Sequence, residues 1–272
     1  METRSKMSWL TTGFATFIAA VGLVFASLPA EAQQPSIMSE IVKRGAIRIA
    51  TIAGNPPYSA LGANGQPEGY DVEIGKMLAA SLKVKPEFII VDVPGRIAAL
   101  QTRRADVTVA NFTNTVERST TIAFTNPYMV VGSVFMVLKD SPIQTVDQLN
   151  DPKYKVAFAR GGTAEQISAA ATPNASKLRF DTVGDAFLAM GSKQADSHLQ
   201  DSFQNVAYME KEPGKHRTLP GNFSYEEIAI GLPAGDFDWW RIVDTWVRQF
   251  NGSGENNRLF RQFFGFDLPP FK

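Results

Sequence analysis

Cysteine is absent from the 272 residues, and histidine occurs only twice, at His198 and His216. The first absence excludes disulfides, a thiolate nucleophile and cysteine-based metal sites. The two histidines stand too far apart in sequence for a metal-ligand pair, and both read as surface or interface residues. Charge of either sign is not in excess, with 27 basic and 27 acidic residues, so no overall field draws the chain to nucleic acid or to an anionic membrane. Neither G-x-G-x-x-G, a Walker lysine loop nor a G-x-S-x-G elbow occurs, and Gly252-Ser253-Gly254 reads as a linker. The paired carboxylates Asp236/Asp238 and Glu226/Glu227 fall at element edges, where capping and solvation account for them. No cofactor, metal or catalytic group is therefore expected.

What is present begins with a leader. Arg4 and Lys6 precede an apolar run from Trp9 to Leu28, closed by Ala30-Glu31-Ala32. This is the pattern of a cleavable signal peptide over residues 1–32, with an uncleaved anchor as the alternative. With no lipoprotein cysteine, a bacterial chain so processed is expected free in the periplasm. Its stability must then come from burial, for which about 240 residues suffice. Residues 33–39 read as a polar lead-in with no fold of their own.

The remainder alternates. Ser39–Arg44 reads as a short helix, Ala46–Ile52 as a buried strand, and Asn55-Pro56-Pro57-Tyr58 as a break. Helices are expected at Tyr70–Leu82 and Arg96–Arg103 around a strand at Glu87–Val91, and Val130–Leu138 as one long apolar strand. A second set of strands (Lys155–Ala159, Leu178–Asp181, Ala195–Leu199) and helices (Thr163–Ala171, Val183–Met190, Ser202–Met209) repeats the architecture without its sequence. A strand at Ile228–Leu232 and helices at Phe237–Phe250 and Asn256–Phe264 close the chain. The fold class is α/β: two lobes, each a mainly parallel sheet flanked by helices, with a cleft between them where ligands bind. The first lobe takes residues 40–132 and 227–272, and the second takes 133–226.

Three short stretches offer ligand chemistry. In Asp106–Arg118 a strand turns into a helix start at Asn114 and Thr115, and Glu117 suits a first helical turn. Arg118 does not, because a cation there opposes the helix dipole. It is either a surface arginine with a carboxylate partner or, with Thr113, an anion site. Arg160-Gly161-Gly162-Thr163 ends a strand and opens a helix, so its amides can bind an anion or merely make the turn. Asp201 follows a strand and precedes a helix, the place of an N-cap.

The order of Asn55-Pro-Pro-Tyr58, Gly69-Tyr-Asp-Val72, Ala105-Asp106, Thr115-Val-Glu-Arg118, Phe124-Thr-Asn-Pro-Tyr128, Gly161-Gly-Thr163 and Asp201 resembles that of family 3 extracellular solute-binding proteins, over about residues 40–268. These are the amino-acid receptors of bacterial ABC importers. The resemblance implies a type II periplasmic-binding-protein fold, a monomer, an amino-acid ligand and an inner-membrane permease as partner, with no nucleic acid. It assigns Arg118 to the ligand carboxylate, Thr113 to carboxylate and ammonium, and the Asn111 carbonyl to the ammonium. Gly162 and Thr163 go to the carboxylate from the second lobe, and Asp201 to the ammonium. Departures fall at Asn55 and Val93, where many relatives carry aromatic or large residues, which leaves Tyr58 or Phe112 to stack on the ligand side chain. Ile52-Ala53-Gly54 replaces the acid that receptors for basic side chains place there. Arg96, Arg160 and Gln200 then point to a polar or acidic side chain. Two alternatives stay open: a cyclohexadienyl-dehydratase-like enzyme on the same fold, and a ligand-sensing subunit.

Overall fold

The computed structural model describes residues 36–271; the expected signal segment, 1–32, lies outside the described residues. Helix α1 (Ile37–Arg44) starts inside the stretch expected to have no fold. Ser36 caps it by accepting from the Ser39 amide, and Ile37 and Ile41, one turn apart, are both fully buried. That apolar pair at i, i+4 is what organises a segment whose composition is mostly polar.

The first sheet has five strands in the order β4-β1-β5-β12-β6, that is Lys85–Val91, Ala46–Ile52, Val107–Thr108, Glu226–Pro233 and Ile122–Val131. Strands β4, β1 and β5 run parallel, joined by helices α2 (Tyr70–Ser81) and α3 (Gly95–Gln101). A two-residue-per-strand hairpin, β2 (Ala60–Leu61) and β3 (Pro67–Glu68), forms around the Asn64-Gly65 turn. The second sheet repeats the plan as β11-β7-β10-β8-β9 (His216–Thr218, Ser133–Leu138, Ser197–Asp201, Lys155–Ala159, Ser176–Phe180). In each sheet three parallel strands in second-first-third order are continued by two antiparallel ones. The sheets are thus mixed rather than mainly parallel. The antiparallel members include the strands on which the chain leaves one sheet and returns to it.

The expected single strand Val130–Leu138 is two. Strand β6 ends at Val131 in the first sheet and β7 begins at Ser133 in the second, with Gly132 between them. A Cβ at Gly132 would lie 2.0 Å from Asn222 Oδ1, on the returning segment, so the two crossings run side by side. An apolar run shows burial but not which sheet it pairs with, and the break is invisible in its hydropathy.

Helices α9 (Phe237–Gly252) and α10 (Glu255–Phe264) bury Trp239, Val243, Val247, Phe250, Leu259, Phe260 and Phe264 against the first sheet. Each such side chain contributes about 1.5–3 kcal/mol on leaving water. The histidines are not at a surface: His198 is fully buried on the inner strand β10, and His216, on the edge strand β11, is nearly so against the Phe187 ring. Burial pushes His198 down to about 3, which keeps it neutral.

Candidate ligand-binding site

In a second-first-third parallel sheet the strand order reverses between the first and third strands, and ligands bind beyond the carboxyl ends there. Asn55 follows β1, and Asn111 and Thr113 follow β5. On the other sheet Gly162 and Thr163 follow β8, and Asp201 ends β10. All of these line one cavity of about 50 Å³, together with Val93, Arg96, Arg118, Gln200 and Glu226. That is room for a water or two, so an amino acid enters only if the walls part.

One wall is cationic. Helix α4 (Val116–Ser119) is a single turn whose cap, Thr115, accepts from the Arg118 amide at 3.2 Å. The Arg118 side chain leaves that turn: Nη1 donates to the Thr113 carbonyl (2.7 Å) and Nη2 to the Gly161 carbonyl (3.2 Å). Arg96, at the start of α3, is buried and donates to the carbonyls of Val93, Ala110 and Asn111. Its guanidinium carbon lies 4.5 Å from the Phe112 ring centroid, and that of Arg118 lies 5.0 Å from it. Among the described residues no carboxylate oxygen comes within 4.0 Å of either. Burial, with Arg118 close by, pushes Arg96 down to about 9, and burial also lowers Arg118. Both remain cations at neutral pH. The first of the two readings of Arg118, a surface cation with a carboxylate partner, therefore does not hold.

The other wall is anionic. Asp201 caps helix α8 (Ser202–Lys211), its Oδ1 accepting from the Gln204 amide at 2.9 Å. The same carboxylate accepts from the Tyr58 hydroxyl (2.9 Å) and from Asn111 Nδ2 (3.0 Å), both from the first sheet's side. The N-cap and a place on the cavity wall coexist on one residue. Burial, only partly offset by these hydrogen bonds, pushes Asp201 up to about 6. The second carboxylate is Glu226, expected from its sequence to be solvated and found 6% exposed. It begins β12, and alternation with the buried Ile228 is the signal that places it inward.

Other expectations change. Arg160 does not line the cavity; its Nε pairs with Asp181 at 2.7 Å and Nη2 with Asp92 at 3.6 Å, all at the exposed rim. Tyr58 is buried and reaches the site only through its hydroxyl, so it offers no stacking face to a ligand. The Asn111 carbonyl already accepts from Arg96 at 3.1 Å. Asn55 accepts from Gln204 Nε2, tying the first sheet's loop to α8. Gly161 closes the rim opposite: its φ is +72°, and a Cβ there would meet Pro94 Cγ at 3.0 Å.

Residues 47–266 match the family of bacterial extracellular solute-binding proteins, family 3. The chain belongs to that family. Its similarity to the L-arginine-binding protein of Pseudomonas aeruginosa is 27% identity over 236 residues, covering 82% of this chain and 89% of that one. The cyclohexadienyl dehydratase of the same organism is 26% identical, covering 85% and 86%. A solved ancestral amino-acid-binding protein, described as a precursor of cyclohexadienyl dehydratase, superposes with a TM-score of 0.79 at 33% identity, covering 84% of this chain and all of that one. The fold is accordingly that of the type II periplasmic amino-acid-binding proteins. Among the described residues no helix is long and apolar enough to cross a membrane.

Proposed function

We propose that this family 3 protein captures an amino acid with a polar or acidic side chain in the periplasm and hands it to the permease of an ABC importer. The observation that carries the reading is a cavity with two arginines lacking a carboxylate partner on one wall and Asp201 on the other. A zwitterion supplies the missing anion to Arg118 and an ammonium to Asp201, and a second acidic group suits Arg96. A basic side chain is disfavoured, because Arg96 and Arg118 repel it. Contacts come from both sheets, so residues 36–132 with 226–272 act as one lobe and the segment between as the other. A ligand bonded to both holds them together, which is the differential affinity that drives closure. A thermal-shift screen of the twenty amino acids and of opines tests this. Stabilisation by glutamate, glutamine or another polar member is expected, and stabilisation by arginine and lysine alone would overturn it.

A second reading, a dehydratase related to the cyclohexadienyl enzyme, gains support from Glu226, a carboxyl group inside the cavity. A general acid must release a proton, however, and Glu226 is surrounded by hydroxyl donors. Incubation with prephenate and assay for the dehydrated product separates the readings; turnover would favour the enzyme.

A further inference from the structure

Glu226 is the most heavily hydrogen-bonded acid in the cavity, and its partners are all hydroxyls. Its Oε2 accepts from Thr113 Oγ1 at 2.9 Å and Thr163 Oγ1 at 2.5 Å, one from each lobe. Its Oε1 accepts from Ser133 Oγ at 2.6 Å and Ser224 Oγ at 2.7 Å, on the two crossing segments. An ionised carboxylate has no proton to give, and a hydroxyl has one. All four protons therefore point at Glu226. Toward the cavity, Thr113 and Thr163 present lone pairs only. On the same cavity, Asn111 Oδ1 is buried and accepts from no group in the protein.

We propose that Glu226 is a specificity-determining positioning residue. By fixing the direction of the Thr113 and Thr163 hydroxyls, it makes the centre of the site demand a proton-rich ligand group, a primary ammonium. A 2-oxo or 2-hydroxy acid of the same carbon skeleton lacks the cation. The 2-oxo oxygen sets lone pairs against lone pairs, leaving buried acceptors unmet. Sites built around a ligand N–H reject the analogue that lacks it far more strongly than an apolar pocket rejects a missing methylene. The carboxylate of the ligand is left to Arg118 and to the amides of Gly162 and Thr163, which Glu226 does not touch.

The inference rests on the amino-acid reading above, and calorimetric titration can separate the two. Wild-type protein, Glu226→Gln, Thr113→Val and Thr163→Val are titrated with L-glutamate, L-glutamine and 2-oxoglutarate, after melting curves establish that each variant folds. Wild-type preference for the amino acids over 2-oxoglutarate is expected to be roughly 100-fold or more. In Glu226→Gln one of the two acceptor oxygens becomes an NH2 donor; where it faces Thr113 and Thr163 it turns their protons into the cavity and the preference shrinks by roughly tenfold, and where it faces the two serines the threonine variants decide. If that variant does not fold, the threonine variants carry the test: each loses roughly tenfold in amino-acid affinity with little change for 2-oxoglutarate. An undiminished preference in the folded variants, with the wild type binding an amino acid, overturns the role of Glu226 alone. If neither amino acid binds the wild type, the functional reading falls and the inference with it.

Discussion

Two arginine clusters in this protein differ in where the counter-charge is. At the far end of the first sheet, Asp106 is almost wholly buried and accepts from Arg44 Nη2 at 2.5 Å, from Arg48 Nη2 at 2.7 Å and from the Arg48 amide at 2.7 Å. Trp239 Nε1 donates to the Asp106 carbonyl at 3.0 Å, fastening α9 to the same point. The hydrogen bond to Asp106 raises Arg48, whereas burial lowers Arg96 and Arg118 in the cleft. The first cluster carries its anion within the chain and is part of the scaffold. The second has carbonyls and an aromatic face as its direct partners, and on the function proposed above its counter-charge comes with the ligand. On that function, the two clusters separate into a structural and a binding role by where they lie and by whether a carboxylate stands within ion-pair distance.

Four substitutions or conditions would break or sharpen that contrast. Arg118→Ala removes two charge-assisted contacts to a ligand carboxylate, so amino-acid affinity should fall roughly 100- to 10,000-fold with the melting temperature of the free protein little changed. Calorimetry beside a melting curve reads both. Asp106→Ala should do the reverse, lowering stability by about 2–4 kcal/mol in urea unfolding while the dissociation constant holds. If either variant showed the other's pattern, the division would fail. Arg96→Met removes a buried cation with no carboxylate partner. Its melting temperature should hold or rise, and glutamate affinity should drop roughly 10- to 100-fold while glutamine affinity changes less.

The smallest effect is one of pH. Asp201 must be ionised to take an ammonium, and in the free protein burial raises it from 3.8 to about 6. Affinity should therefore decline below about pH 6, by up to roughly tenfold per unit. Stability of the free protein runs the other way. A carboxyl group raised by folding adds stability that is complete below its unfolded value and lost as pH rises through its folded one, and Asp71, raised to about 7 by burial, acts in the same sense. Free protein should lose stability between about pH 4 and 7 while affinity grows, a pair of opposite slopes that melting curves with and without ligand would show.

Much of the fold could be read from the chain because its elements carry local signals. The aromatic and aliphatic spacing of Phe237–Phe250 announces α9, and Lys155–Ala159 is a short apolar run that forms a strand whose bounds the structure reproduces. The cavity lining was legible at strand-to-helix turns, as at Thr115-Val-Glu-Arg118 and Gly161-Gly-Thr163. What local pattern cannot carry is pairing across the molecule. Glu226 looks solvated until Thr113, Ser133 and Thr163 are brought to it from three separate segments to join its near neighbour Ser224. His198 looks polar until β7 and β8 flank it. Arg160 looks like a site residue until Asp92 and Asp181 are found beside it.

The contact of Gly161 with Pro94 at the rim has a consequence separate from any bond to ligand. Observed affinity is the intrinsic affinity of the shut form scaled by the fraction of molecules able to shut. If the protein works by closure, a methyl at that rim would change the fraction chiefly through the Pro94 contact, without itself touching the ligand. On the function proposed above, a lineage could retune how tightly such a protein holds its ligand from a residue that need not touch the ligand.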